Sequence, residues 1–208
     1  MKITRYPQSC LLIEKSGRRI VIDPGLPFSN KYDHGDLGTV AAVFYTHEHG
    51  DHCDPALIEK WADEGVAIYG PGDLAVDQDK VKALQPQDVI DIVGFRIRAV
   101  DLPHCSLRST PVPYNLGYVV DETLLHPGDS SESSGIKVKY LAVPILGPDI
   151  SPKDAIDQIF ATGAEIVIPI HYDIWGANPD NFTNFCKFMG APQVDVRPLA
   201  WGQSIELN

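Results

Sequence analysis

Three histidines, one glutamate and two aspartates crowd into the nine residues Thr46-His47-Glu48-His49-Gly50-Asp51-His52-Cys53-Asp54. Neutral imidazole and carboxylate are the usual donors to Zn²⁺ and to other first-row divalent ions. The chain has seven histidines in 208 residues, so a His-x-His-x-x-His cluster is hard to ascribe to a polar loop with incidental histidines. The run reads as the centre of a metal site, and the remaining ligands must come from elsewhere in the chain.

Three further residues stand where an apolar segment runs into a loop. His104 follows 95–103, Asp129 follows 123–128, and His171 follows Ile166-Val167-Ile168-Pro169-Ile170. A lone His or Asp at a strand end is commonly a turn former or a satisfied polar group. Together with the nine-residue run, the three form a far less accidental set. Cys53 and Cys105 each adjoin a candidate ligand histidine. Nitrogen and oxygen donors are already sufficient, so both thiols are expected to pack as small buried groups. The chemistry expected of such a set is metal-assisted hydrolysis. No Gly-x-Ser-x-Gly elbow and no phosphate-binding glycine loop compete with that reading.

The elements that must position these residues follow from periodicity and punctuation. Segments 9–15 and 18–23 read as strands around the Ser16-Gly17 turn. Segment 41–45 reads as a buried strand entering the histidine run. Residues 55–64 read as an amphipathic helix with Asp54 as N-cap, Pro55 at its first position and Gly65 closing it. Further strands are expected at 66–69, 89–92, 95–101, 115–121, 123–126, 138–143, 166–170, 194–197 and 203–207. Helices are expected from Ser151 to about 162 and at 179–189 behind Asn178, with 73–83 a short helix or irregular piece. Strands outnumber helices and hairpins separate the helices. That pattern suggests sheets packed on each other with helices outside, within one domain, 1–208.

Net charge is −11. Sequence-independent nucleic-acid binding depends on Lys and Arg neutralising phosphates, so neither nucleic acid nor an anionic membrane surface is an expected partner. A bound pair of dications would offset part of the charge locally, which keeps an anionic small-molecule substrate open. The N-terminus does not read as a signal peptide, and no apolar stretch is long enough to span a bilayer. The four cysteines form no framework. A reduced, cytoplasmic setting is expected. Self-association into a homo-oligomer is left open.

The residue set resembles the metallo-β-lactamase superfamily. Its His-x-His-x-Asp-His motif corresponds to His47-Glu48-His49-Gly50-Asp51-His52. A lone His, an Asp after Gly and a final His follow as His104, Gly128-Asp129 and His171. The family's early strand-end aspartate matches Asp23, which local sequence alone would equally read as a turn former before Pro24. A narrower resemblance is to small bacterial metal-dependent hydrolases related to ascorbate-6-phosphate lactonase. It rests on Ile22-Asp23-Pro24, Asn115-Leu116-Gly117-Tyr118, His126-Pro127-Gly128-Asp129, Pro144-Ile145-Leu146-Gly147 and Ile168-Pro169-Ile170-His171-Tyr172. The resemblance implies an α/β (α+β) fold, a four-layer αβ/βα sandwich with the site at one edge between two sheets. It implies two divalent ions, Zn²⁺ first and Mn²⁺ or Fe²⁺ as alternatives. His47, His49 and His104 would hold one, and Asp51, His52 and His171 the other. Asp129 would bridge them, and Asp51 would also act catalytically on water. Asp23 would accept an N–H from a ligand histidine.

The implied reaction is hydrolysis of an ester, lactone or phosphodiester. The alternatives on the same fold are an RNA-processing nuclease or other phosphodiesterase and an iron-dependent oxidoreductase. Beside the ligands, Phe28, His34, Ser106, Arg108, Tyr114, Tyr172 and Trp175 are the substrate-facing candidates. His126 is assigned to the strand entering the Gly-Asp turn rather than to the metal.

Overall fold

The computed structural model describes residues 1–77, 79–106 and 110–208. Its first sheet takes six strands in chain order: β1 (Lys2–Arg5), β2 (Leu11–Lys15), β3 (Arg18–Ile22), β4 (Ala42–Phe44), β5 (Ala67–Pro71) and β6 (Lys82–Leu84). The second takes β7 (Val89–Ile92), β8 (Phe95–Asp101), β9 (Leu116–Val120), β10 (Leu124–His126), β11 (Tyr140–Pro144), β12 (Ile166–Ile170) and β13 (Asp195–Val196). The last strand, β14 (Ser204–Glu206), returns to the first sheet and pairs antiparallel with β1. Each sheet changes character part-way. The pairs β1–β2, β2–β3, β7–β8, β8–β9 and β9–β10 are antiparallel. From β3 to β6 and from β10 to β13 every pair is parallel.

Strand alternation explains the layers. Leu11, Ile13, Ile20, Ile22, Ala42 and Phe44 of the first sheet point into one core, which they share with Ile97, Tyr118, Val120, Ala142, Ile168 and Ile170 of the second. The intervening residues face outward and are buried as well, so these strands read as nearly continuous apolar runs. Leu12, Val21 and Val43 pack under α2 (Pro55–Asp63) through Leu57, Ile58 and Trp61. Leu141, Val143 and Val167 pack under α3 (Pro152–Thr162) and α4 (Pro179–Phe188). Helix, sheet, sheet, helix is the four-layer order expected.

Local chemistry sets the boundaries. Asp54 accepts from Ala56 N at 2.9 Å and Pro55 opens α2. Ser151 and Asp154 form a reciprocal capping box at α3, and Gly163 ends it in the left-handed region. The two-residue turns Ser16-Gly17, Val93-Gly94 and Asp121-Glu122 have positive φ at both positions, the geometry that matches strand twist in tight hairpins. Three elements depart from expectation. Lys2–Arg5 is a strand, completed only by its pairing with β14. Leu26–Ser29 forms one helical turn, α1, in a stretch to which the sequence assigned no element. In 73–83 the described residues hold no helix, and the end of the stretch belongs to β6. Among the described residues, no helix is long and apolar enough to cross a membrane.

Candidate metal centre

All the candidate ligands lie beyond the C-terminal ends of strands. β4 delivers His47, His49, Asp51 and His52; β8 delivers His104; β10 delivers Asp129; and β12 delivers His171. These seven residues form two overlapping sets, His47–His49–His104–Asp129 and Asp51–His52–Asp129–His171. In each set one donor atom per residue lies within 4.8 Å of the others, and Asp129 belongs to both. His171 Nε2 stands 3.1 Å from Asp129 Oδ2 and 3.2 Å from Asp51 Oδ2. His104 Nε2 is 3.1 Å from His49 Nδ1 and 3.7 Å from Asp129 Oδ2.

The far side of each ring is tied down, and that tie fixes which nitrogen faces the cluster. A carbonyl can only accept, so the ring nitrogen bonded to it carries the hydrogen. His104 Nδ1 donates to the Cys105 carbonyl at 2.7 Å, and His171 Nδ1 donates to the Leu146 carbonyl at 2.6 Å. His52 Nδ1 donates to Asp23 Oδ2 at 2.7 Å. Thr46 Oγ1 donates to the same carboxylate at 2.8 Å and lies 3.0 Å from His47 Nδ1. Nδ1 of His104, His171 and His52 therefore carries a hydrogen, and Nε2 is the nitrogen that faces the cluster. Such anchoring orients histidine ligands and raises their basicity.

The cluster lacks positive charge. His47 Nε2, His52 Nε2 and Asp129 Oδ1 are buried without a hydrogen-bond partner, and unpaired buried polar atoms are costly. Burial pulls His52 down, yet the carboxylates of Asp129, Asp51 and Asp23 overcome it and hold the imidazole well above its ordinary value. His171 follows the same pattern: burial opposes, Asp129 and Asp51 prevail, and its pKa is pushed up to about 9. His47, where burial dominates and His52 adds to it, is pushed well down and stays neutral. Two inward nitrogens, of His47 and His52, and the Oδ1 of the shared Asp129 have no hydrogen bond within the protein, and divalent cations would satisfy them. The donor set of imidazole and carboxylate suits first-row ions.

The backbone is shaped around this arrangement. Asp23 and His171 both adopt positive φ, 52° and 57°, conformations that Asp and His tolerate better than most residues. A Cβ on Gly25 would stand 2.6 Å from His52 N and closer still to the Asp51 carbonyl. Only glycine lets α1 sit directly on the histidine loop, where Leu26 N donates to Gly50 O at 2.8 Å. Gly128 has φ 61° and presses against Asn115 and Thr46. Asn115 is wholly buried; its Nδ2 donates to the carbonyls of Leu102 and Pro127, and its Oδ1 accepts from Asp129 N. One amide thus ties the His104 loop to the Asp129 turn.

A family model described as a beta-lactamase superfamily domain matches residues 2–171. The chain belongs to the metallo-β-lactamase superfamily. The Mycobacterium tuberculosis protein Rv0786c is 31% identical over 185 residues, covering 84% of this chain and 85% of that one. A UPF0173 metal-dependent hydrolase of Polynucleobacter asymbioticus is 24% identical over 230 residues, covering 91% and 80%. Among solved structures, Igni18, described as a novel metallo hydrolase of the archaeon Ignicoccus hospitalis, superposes with a TM-score of 0.80 at 22% identity. It covers 100% of this chain and 99% of that one. The sandwich is therefore the superfamily's fold, with the seven residues gathered at its edge.

Other sequence expectations fare unevenly. Asp23 is buried against His52, as the superfamily pattern implied. Glu48 is exposed. His126 is buried and donates from Nε2 to Ser9 O, outside both donor sets. Cys53 and Cys105 are buried and belong to neither set. Three substrate-facing candidates are corrected. Phe28 is in the core beneath Tyr6 and Tyr32. His34 pairs with Glu64 across α2. Tyr172 is buried under the Arg5 guanidinium. Tyr172 adjoins His171 in sequence but turns away from the cluster, and Phe28 and His34 belong to the segment that precedes β4. Trp175 does line the cluster's pocket, about 310 Å³, together with Pro148. Ser106 is exposed, Tyr114 donates to Asp101, and Arg108 lies outside the described residues.

One participant had no sequence signal. Gln8 is fully buried at φ 63° between β1 and β2. Its Nε2 donates to Asp51 Oδ2 at 3.0 Å, its carbonyl accepts from His171 N, and its Oε1 accepts from Ile174 N. It joins the histidine loop to the loop after β12 across 43 and 166 residues of chain.

Proposed function

We propose that this chain is a metal-dependent hydrolase that uses two divalent ions, with Zn²⁺ the first candidate, to cleave an ester, lactone or phosphodiester bond of a small molecule. The observation that carries the reading is the pair of donor sets sharing Asp129, with inward nitrogens that nothing in the protein satisfies. Superfamily membership and relatives described as metallo and metal-dependent hydrolases support it. His47, His49 and His104 would hold one ion, Asp51, His52 and His171 the other, and Asp129 both. When bound, such ions supply Lewis acidity that polarises a carbonyl or phosphoryl oxygen and makes water acidic near neutral pH.

The chain's own groups do the rest. Both hydrogen bonds to Asp51, from Gln8 and His171, fall on Oδ2. Oδ1 is left to orient the attacking water and accept its proton. Burial opposes ionisation of Asp51, but His52 and His171 hold it well below the usual carboxylate range, so it stays ionised and available to accept a hydrogen bond from water. Asp23 keeps His52 in the tautomer that presents Nε2. Trp175 and Pro148 narrow the pocket mouth and exclude water once substrate is seated.

Elemental analysis of the purified protein, with a screen of ester, lactone and phosphodiester substrates, tests the reading. Two equivalents of ion and a chelator-sensitive activity are expected. His49→Ala and Asp129→Ala should abolish turnover. Full activity in protein stripped of metal would refute the mechanism.

A further inference from the structure

The pocket lined by His49, Asp51, His104, Asp129 and His171 is about 310 Å³, at the small end of ligand-binding cavities. A second cavity of about 530 Å³ adjoins it. The two share Gly50 and Asp51 in their walls. The second is walled by Leu26 and Pro27 of α1, by Ile174 on the loop after His171, and by Trp201. Leu26, Ile174 and Trp201 are 46%, 53% and 44% exposed. Leaving three large apolar side chains in water around one depression is costly unless something covers them, and such clusters mark binding surfaces. A larger cavity, about 690 Å³ between the starts of α3 and α4, shares no residue with the donor sets.

We infer that this groove receives an apolar acyl arm of the substrate, so that the preferred substrate is a carboxylic ester, lactone or thioester carrying an aliphatic or aryl acyl group. The inference rests on the hydrolase reading above. The shared wall of Gly50 and Asp51 sets the groove beside the reacting centre, within reach of an arm attached to the scissile carbonyl. Its charges do not suit an anionic polymer. Lys31 is the cation in its lining, against the carboxylates of Asp51 and Asp173. Asp173 is already engaged by Arg5, by Gln8 N and by Trp201 Nε1. Those bonds fix the Ile174 wall and the Trp201 wall relative to Asp51, so the groove is formed before substrate arrives.

The test compares acetohydroxamate with octanohydroxamate on the zinc-loaded protein by titration calorimetry, alongside hydrolysis of p-nitrophenyl acetate and octanoate. Each methylene taken fully out of water strengthens binding about threefold to fourfold, so octanohydroxamate should bind at least about tenfold more tightly. Leu26→Asp and Ile174→Asp, both at exposed positions, should erase that preference, with acetohydroxamate affinity in each variant reporting any change at the ions. Equal binding of the two hydroxamates overturns the groove assignment, whatever the esters do. A chain-length preference that survives both substitutions also overturns it. Tighter octanohydroxamate binding without hydrolysis of either ester leaves the groove standing and removes the ester reading of the hydrolase instead.

Discussion

Replacing Asp23 by Asn isolates the role of its charge. The residue is fully buried, sits at φ 52° and is not in either donor set. Asn has the same shape and tolerates that φ, so backbone strain does not confound the comparison as it would with Ala. The carboxylate accepts three hydrogen bonds, from Thr46 N at 2.8 Å, Thr46 Oγ1 at 2.8 Å and His52 Nδ1 at 2.7 Å. An amide has one oxygen and one NH₂. With the oxygen toward His52, the NH₂ faces the Thr46 N–H and a buried donor is left unpaired. With the NH₂ toward His52, the ring must turn over its tautomer, placing a hydrogen on Nε2 and removing the inward lone pair. An unpaired buried group costs about 1–3 kcal/mol, and a hydrogen bond to a charged acceptor is worth about 1.5–3 kcal/mol. Asp23→Asn should therefore lower stability by about 2–4 kcal/mol in the metal-free protein. Lost ligand anchoring typically weakens a metal about 10–100-fold; the loss should fall on the ion held by His52 and spare the one held by His47, His49 and His104. Urea denaturation of the metal-free protein and chelator competition resolved into two binding steps supply the measurements. Both ions binding within twofold of the parent would refute the reasoning, as would equal weakening of the two.

Gln8→Met keeps the volume and φ strain but cannot donate to Asp51 or accept from Ile174; it should weaken the second ion about tenfold and cost about 1–2 kcal/mol, read by the same two assays. Gly25→Ala drives a Cβ into the backbone of Asp51 and His52, which cannot yield as a side-chain tip would; about 1–3 kcal/mol of stability should be lost, together with activity, whereas Gly17→Ala, whose Cβ meets nothing within 4 Å, should cost only its positive-φ strain. Burial raises the thiols of Cys53 and Cys105 to about 12 and that of Cys186 to about 11, with nearby carboxylates adding to the first two. The folded protein thus keeps protons that the unfolded chain releases above about pH 9, so stability should fall as pH rises from there toward 12; thiol titration with a disulfide reagent at pH 8 should report no reactive cysteine until denaturant is added.

The ligand set was legible because spacing and strand ends are local properties. His47 to His52 announced themselves, and His104, Asp129 and His171 each followed an apolar run that could only be a strand. Helix caps at Asp54, Ser151 and Asn178 were legible for the same reason. What was hidden depends on contacts distant in sequence. Gln8 looks like any loop amide until the loop after β12 closes over it. Asn115 shows no sign of bonding Leu102 and Pro127. Lys2–Arg5 is too short to declare itself a strand without β14 beside it. Gly25 reads as a turn residue, although its φ is −87° and its value lies in what presses on its missing Cβ. Phe28 and His34 misled because their helical turns face the core and α2, and Tyr172 because a neighbour of His171 in sequence does not share its direction. A strand leaving a sheet edge sends successive side chains to opposite sides.

The reach of Gln8 bears on how such an enzyme can diverge. The wall that would meet the substrate, through Ile174, and the carboxylate that would meet the ion, Asp51, hang from the two ends of one amide group. Any change that moves the first is transmitted to the second. A lineage acquiring new substrates by altering this wall would forfeit metal retention along the way, and would need compensating changes near the amino terminus to recover it. Trp175 and Pro148, on the rim of the smaller pocket, carry no such tether to Asp51 among the described contacts. New specificities should accumulate there first, and directed-evolution libraries confined to that rim should yield a larger fraction of metal-replete variants than libraries built on residues 173 and 174.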